Sequence, residues 1–205
     1  GYLGLEQDIR IKQAAAEAIF KYGTQFPLSK TYISHPLYRT LEQKIELIYE
    51  EPVIIAKNST LAHMAVIPQA ISDNDVVILD HQVHWSVQTA CQLLKTRGVP
   101  VLLIRHNNME QLEDYLVKYK DKHQKIWYMA DGIYSMYGDH APIDKLKQLI
   151  KKYPCLHIYF DDVHGMSWIG KRGAGFVKSH WSIIPENMEL ISTLRKTPGA
   201  SGATI

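Results

Sequence analysis

Cysteine is scarce, with two residues in 205, Cys91 and Cys155, both in apolar surroundings. Such a pair offers neither a disulfide framework nor the ligand set of a structural zinc site, so no metal is expected, and it suits a reducing compartment. Long hydrophobic runs are missing too. No stretch approaches the roughly 18 consecutive apolar residues of a membrane span, and no charged-then-apolar leader precedes the first helical segment. Neither sign of charge dominates. The formal net charge is +2 with Lys and Arg dispersed, which argues against the basic stripe of a nucleic-acid partner. Two phosphate signatures are absent, G-x-G-x-x-G after the first strand and G-x-x-x-x-G-K-[ST], and with them nicotinamide and nucleoside triphosphate chemistry lose ground.

What is present reads as an ordinary globular chain, 46% hydrophobic and 21% charged, expected to be soluble and cytoplasmic. The ordered-looking opening G-Y-L-G-L without Met, and the stop at residues 201–205 without a polar tail, suggest a piece of a longer protein. Residues 8–22 carry Ile9, Ile11, Ala14, Ala15, Ala18 and Ile19 at helical spacing, with Gly23 as a stop, and predict an amphipathic helix. Residues 24–36 read as a loop. In residues 37–49, Leu41, Ile45 and Ile48 mark the buried face of a helix, while Glu42, Lys44 and Glu46 mark the wet one.

Six short apolar runs follow, at residues 53–56, 76–80, 99–104, 126–130, 157–161 and 190–192. Helical patterns at 61–71, 84–94, 109–120 and 143–152 lie between them. This alternation predicts an α/β fold, a mostly parallel sheet sandwiched by helices. In such a sheet the ligand crevice lies outside the carboxyl ends of the strands, so the strand ends carry the functional reading. The central one is residues 156–170, where an apolar run stops abruptly at Asp161 and Asp162, followed by His164. After the first strand, Asn58, Ser59 and Thr60 open a helix whose free amides suit a phosphate, although a plain helix cap explains them as well. After the second, His84 and Trp85 offer stacking faces. Residues 131–139, which include Ser135, form a Gly-bearing loop. The last run enters Thr193, Arg195 and Lys196. Singly these are weak signals. Together they supply a phosphate cradle, a stacking ring, an acid for a ring nitrogen, an imidazole for a ring hydroxyl and an amine, an inventory that fits pyridoxal phosphate. Lys196 would form the Schiff base once unprotonated, helped by burial and by nearby cations such as Arg195, and Asp161 would keep the pyridine nitrogen protonated.

The same pieces resemble the α-oxoamine synthases, fold-type I pyridoxal phosphate enzymes related to the class II aminotransferases. They are G-Y-L-G-L at 1–5, L-E at 41–42, Asp80 with H-W-S at 84–86, Y-S-M-Y-G-D-H-A-P-I at 134–143, D-D-V-H-G at 161–165 and S-T-L-R-K-T-P-G-A-S-G at 192–202. The resemblance implies that Lys196 holds the cofactor, His84 stacks on its ring, Asp161 pairs with the ring nitrogen, and His164 and Ser135 lie near the ring hydroxyl. Ser59, Thr60 and Thr193 would bind the phosphate. It also implies condensation of an amino acid with an acyl-CoA, with Lys196 and His164 moving protons, in a homodimer whose sites lie at the interface. Residues 1–50 would then be a helical segment leading into an incomplete cofactor-binding large domain at 51–205, with the small C-terminal domain absent.

Three departures touch the resemblance. Asn58-Ser59-Thr60 replaces the usual Ser-Gly-aromatic turn, residues 24–30 replace a Gly-rich segment on the substrate side, and Arg195 stands where a small residue usually precedes the lysine. An aminotransferase of the same fold, a cofactor-binding but inactive homologue, and a non-enzymatic α/β scaffold are the alternatives.

Overall fold

A computed structural model describes residues 1–25 and 33–205; the substrate-side segment at 24–30 falls mostly outside them. Two helices open the chain, α1 (Ile9–Tyr22) and α2 (Pro36–Tyr49). There follow β1 (Ile55–Ala56), α3 (Ser59–Ala70), β2 (Val76–Asp80), α4 (Trp85–Lys95), β3 (Val101–Ile104), α5 (Met109–Tyr119), β4 (Ile126–Asp131), α6 (Ile143–Lys152), β5 (Leu156–Asp161), α7 (Phe176–Ser179), β6 (Met188–Thr193) and β7 (Ala203–Thr204). The seven strands form one sheet in the order β1-β7-β6-β5-β4-β2-β3. β3, β2, β4, β5 and β6 run parallel. β7 runs antiparallel to both β6 and β1.

The local chemistry explains the boundaries. Asn58 and Asn108 accept hydrogen bonds from the third amide of the helix each precedes, Leu61 at 2.8 Å and Gln111 at 2.9 Å, satisfying donors that have no intrahelical partner. Pro36 starts α2, where its missing N–H costs nothing. β2 and β4 are buried along their whole length, as strands covered on both faces must be, and successive residues go to opposite layers. Ile78, Tyr128 and Ile158 pack under Leu112 and Leu116 of α5 and Leu146 and Leu149 of α6. Val77, Leu79, Met129 and Tyr159 pack under Ala62 and Ile67 of α3 and Val87, Ala90 and Leu94 of α4.

Three expectations change. Glu42 is not on the wet face of α2: it is 4% exposed, and its Oε1 accepts a hydrogen bond from the Ile55 amide at 3.1 Å. That amide belongs to a two-residue edge strand, and a buried N–H needs an acceptor from somewhere. The amphipathic face of α1 is not buried by any described residue, and Ile9, Ile19 and Phe20 stand exposed. Two short elements, β7 and α7, were not expected, because two and four residues carry no readable period.

Candidate functional site

Parallel strands bring their carboxyl ends to one side, and register decides which residues meet there. Asp131 pairs directly with Asp161, and Asp161 with Ile191, which Ser192 and Thr193 follow. A cavity of about 350 Å³ opens at this edge, lined by Ser59, Thr60, His84, Asp161, His164, Thr193, Arg195 and Lys196, with Gly1 and Val163. Seven of the eight sequence-predicted residues therefore share one cavity. The eighth, Ser135, lines an adjoining cavity of about 370 Å³ with Tyr2, Leu3, Ile133, Tyr134 and Trp168, and His164 borders both. Size alone does not single the site out. A cavity of about 520 Å³ between α5 and α6, lined by Glu113, Lys145 and Lys152 among others, contains none of these residues.

Each side chain is positioned by its element. Ser59 and Thr60 form the first turn of α3, where backbone amides lack intrahelical acceptors and the helix dipole favours an anion. His84 caps α4: its backbone amide donates to Asp131 Oδ1 at 3.0 Å, and its Nδ1 lies 2.6 Å from Ser86 Oγ. Thr193 Oγ1 donates to the Gly202 carbonyl at 3.1 Å and accepts from the Arg195 amide at 3.2 Å, which fixes the turn that delivers Arg195 and Lys196. Arg195 is exposed and Lys196 half-buried. The Lys196 carbonyl accepts from the Tyr2 amide at 2.8 Å, and its Nζ lies 5.9 Å from the centre of the Tyr2 ring.

Three buried carboxyl groups, Asp131, Asp161 and Asp162, crowd this edge, and their surroundings drive their pKa values apart. Burial and the neighbouring Asp161 raise Asp131 far above the carboxylate range. Burial raises Asp162 likewise, against the hydrogen bond that its Oδ2 accepts from the Val177 amide at 2.9 Å. Burial acts on Asp161 in the same direction, yet its pKa falls, because His63 Nε2 stands 3.0 Å from Oδ2 and the Val163 amide donates to Oδ1 at 3.1 Å. The His63 approach is an electrostatic contact whose angle departs from that of a hydrogen bond. Like charges so close do not all ionise, and one anion remains, at Asp161. Burial lowers the pKa of His84, outweighing the pull of Asp161, and burial together with Lys196 lowers that of His164. Both rings are therefore neutral near pH 7.

His63, Asp131 and Tyr2 are the participants that the sequence reading missed. His63 was legible in principle: it lies four residues after Ser59, on the same face of α3 as the phosphate-like turn. Asp131 ends its strand one place beyond the predicted run. Tyr2 lies in the G-Y-L-G-L piece of the resemblance, but its contact with His164 spans 162 residues, which no local pattern carries.

A second cluster holds the loop beside the site. Asp80 Oδ1 lies 2.8 Å from His106 Nδ1, whose Nε2 lies 2.7 Å from Asp139 Oδ2, while Asp80 Oδ2 accepts from the Asn107 amide at 2.7 Å and the Tyr128 hydroxyl at 3.0 Å. Partial burial opposes the imidazolium, but the two carboxylates outweigh it and raise the pKa of His106 above 6.5. A raised pKa stabilises the fold fully below the unfolded value and ceases to do so as pH rises through the folded one. The melting temperature of the wild-type chain is thus expected to exceed that of His106→Gln most at pH 6 and below, with the gap closing on the alkaline side. A gap that widens with pH would contradict the clamp.

No protein-family model matches the sequence. The chain is 33% identical over 206 residues to 8-amino-7-oxononanoate synthase of Thermoanaerobacter pseudethanolicus, an alignment covering 100% of this chain and 51% of that protein. It superposes on serine palmitoyltransferase of Sphingomonas wittichii with a TM-score of 0.86 at 24% identity, covering 99% of this chain and 50% of that one. A further serine palmitoyltransferase structure, described as holding a PLP internal aldimine, matches with a TM-score of 0.85 at 24% identity over the same shares. The structural matches show the fold. The chain spans about half the length of the curated relatives it matches.

Proposed function

We infer the function from the premise that the chain belongs to the α-oxoamine synthase family: it is the cofactor-binding part of a pyridoxal phosphate-dependent transferase that condenses an amino acid with an acyl-CoA. The observation that carries this reading is the single cavity shared by an amine, Lys196, an ionised acid, Asp161, a neutral ring, His84, and three hydroxyls, Ser59, Thr60 and Thr193. Its volume lies within the range of small-molecule pockets. The buried anion at Asp161 also suits the cofactor, because a protonated ring nitrogen supplies the partner that a buried carboxylate needs. When bound, pyridoxal phosphate supplies an electrophilic aldehyde and a protonated ring that draws electron density from the substrate's α-carbon.

The residues of the chain do the rest. Ser59 and Thr60 would hold the phosphate at the start of α3; Thr193, whose proton is given to the Gly202 carbonyl, would have to turn its hydroxyl away from that carbonyl to donate to the same phosphate. His84, which lines the same cavity, would stack on the ring. Asp161, kept anionic by His63, holds the proton on the ring nitrogen. The Lys196 amine would hold the cofactor through its aldehyde and would move a proton at the substrate's α-carbon, and His164 would orient the ring hydroxyl and the incoming acyl group. Ser135 would approach the ring hydroxyl from the adjoining cavity, which His164 also borders. Residues 51–205 make up the cofactor-binding domain and residues 1–50 its helical entry. The exposed apolar face of α1 supports pairing with a second copy, since Ile9, Ile19 and Phe20 face nothing among the described residues. No helix of the described residues is long and apolar enough to cross a membrane, and two free thiols, Cys91 and Cys155, support a cytoplasmic setting.

Borohydride reduction of the chain after incubation with pyridoxal phosphate, followed by peptide mass analysis, is expected to find the reduced adduct on Lys196. An adduct spread over several lysines, or absent from Lys196, would overturn the reading.

A further inference from the structure

The imidazole of His164 has a single hydrogen-bond partner among the described residues, and it is not a neighbour in sequence. Nδ1 is bonded to the Tyr2 hydroxyl, with the two ring centres 6.1 Å apart. The Trp168 indole, 2.6 Å from the His164 carbonyl, fixes the backbone and leaves the ring free. Tyr2 is itself anchored at the site: its amide donates to the Lys196 carbonyl at 2.8 Å, and its ring lies 5.9 Å from Lys196 Nζ. The segment carrying it sits tightly on the turn after the lysine. A Cβ at Gly199 would lie 2.7 Å from the Glu6 amide nitrogen, and Gly199 has φ of +68°, so the close approach and the backbone conformation both call for glycine.

We propose that Tyr2 is a positioning residue which donates its hydroxyl proton to His164 Nδ1 and so confines the ring proton to Nε2, the nitrogen left to donate to an anionic oxygen of the bound ligand. The direction of the bond follows from acidity. A phenolic O–H, with a pKa of about 10, is a far stronger donor than a neutral imidazole N–H, and an imidazole nitrogen is a stronger acceptor than a phenolic oxygen, so the hydroxyl donates to Nδ1. A neutral imidazole carries one proton, and the hydrogen bond at one nitrogen decides that it resides on the other. Burial and the Lys196 ammonium both lower the pKa of His164, which keeps the ring neutral. Tyr2 thus ties the amine and the imidazole together: one residue takes its backbone position from Lys196 and sets the tautomer of His164. The tautomer is a property of the chain by itself, whereas its use toward a ligand oxygen rests on the proposed function.

The test reads the His164 ring directly. Nitrogen-detected NMR of the chain, with the His164 resonances assigned by His164→Gln, is expected to show the Nε2–H tautomer alone in the wild type. In Tyr2→Phe it should show a mixture of tautomers and a pKa raised by about 0.5–1 unit, the size of a lost hydrogen bond to the neutral form. Tyr2 is half exposed, so Phe removes the hydroxyl and leaves the ring packing in place. An Nδ1–H tautomer in the wild type, or an unchanged tautomer and pKa in Tyr2→Phe, overturns the proposal. Titration with pyridoxal phosphate keeps the two readings apart. A wild-type chain with the expected tautomer but no adduct at Lys196 removes the proposed function and leaves Tyr2 as the setter of the tautomer. An adduct at Lys196 with no change in the His164 ring on Tyr2→Phe removes only the role of Tyr2.

Discussion

Asp161→Asn is expected to weaken the binding of pyridoxal phosphate by about 10- to 100-fold, the size of one hydrogen bond to a charged group. Among Asp131, Asp161 and Asp162, Asp161 alone is held ionised, by His63 and the Val163 amide, and an amide in its place neither carries the charge nor holds a proton on a ring nitrogen. Asp131→Asn provides the contrast: its carboxyl is already pushed toward the neutral form, so replacing it leaves affinity within about threefold, in keeping with one near-isosteric neutral contact. Equal losses for the two variants would sink the assignment of the anion. The pH dependence of stability separates the two in the same way. A carboxyl whose folded pKa is depressed contributes stability above its unfolded value, 3.8 for aspartate, and that contribution disappears as pH falls through the folded value. The stability gap between wild type and Asp161→Asn should accordingly be full at pH 7 and narrow below pH 4, as read by denaturant unfolding at each pH.

The division between what the sequence shows and what it hides has a physical cause. β2 and β4, and β5 from Ile158 on, are buried on both faces, so their apolar runs are unbroken and their polar ends stand out, at Asp80, Asp131 and Asp161. The function-bearing edge of the sheet is thus readable as a set of strand ends, and seven of the eight candidate residues do line one cavity. What the sequence hides are the partners that tertiary structure recruits. His63 reads as a lone histidine on an apolar helix until β5 places Asp161 3.0 Å from it. Glu42 reads as a solvated helix position until an edge strand presents an unpaired amide. Ser135 belongs to a loop whose course depends on the Asp80–His106–Asp139 clamp, an arrangement of three residues far apart in sequence. In α1 the periodicity correctly marks a helix and an apolar face, but periodicity carries no information about which surface that face will meet.

Gly165→Ala is expected to destabilise the chain by about 3 kcal/mol, the upper part of the range for overpacking a tight site. Three glycines wall the Asp162 carboxyl: an added Cβ would lie 2.3 Å from one of its oxygens at Gly132, at Gly165 and at Gly175. At Gly165 the same Cβ also meets the Phe176 amide nitrogen at 2.6 Å and the Phe176 Cβ at 2.9 Å, so moving the carboxyl does not relieve the clash. Asp162 has little room to yield, because its Oδ2 accepts from the Val177 amide and its own carbonyl accepts from the Gly165 and Met166 amides. Gly138→Ala isolates the other way in which a glycine is needed. Its φ is +72° with nothing within 4 Å of the new Cβ, so only the left-handed backbone is penalised, at about 1 kcal/mol. For a chain of this size 3 kcal/mol corresponds to roughly 6–12 °C in melting temperature and 1 kcal/mol to roughly 2–4 °C, a difference that calorimetry resolves. Because Gly165 follows His164 directly, the displaced turn also moves the imidazole away from Tyr2, and Gly165→Ala should lose the single His164 tautomer that Gly138→Ala retains. Equal destabilisation by the two alanines would mean that Asp162 and Phe176 give way, and that the turn holding His164 is far softer than its packing indicates.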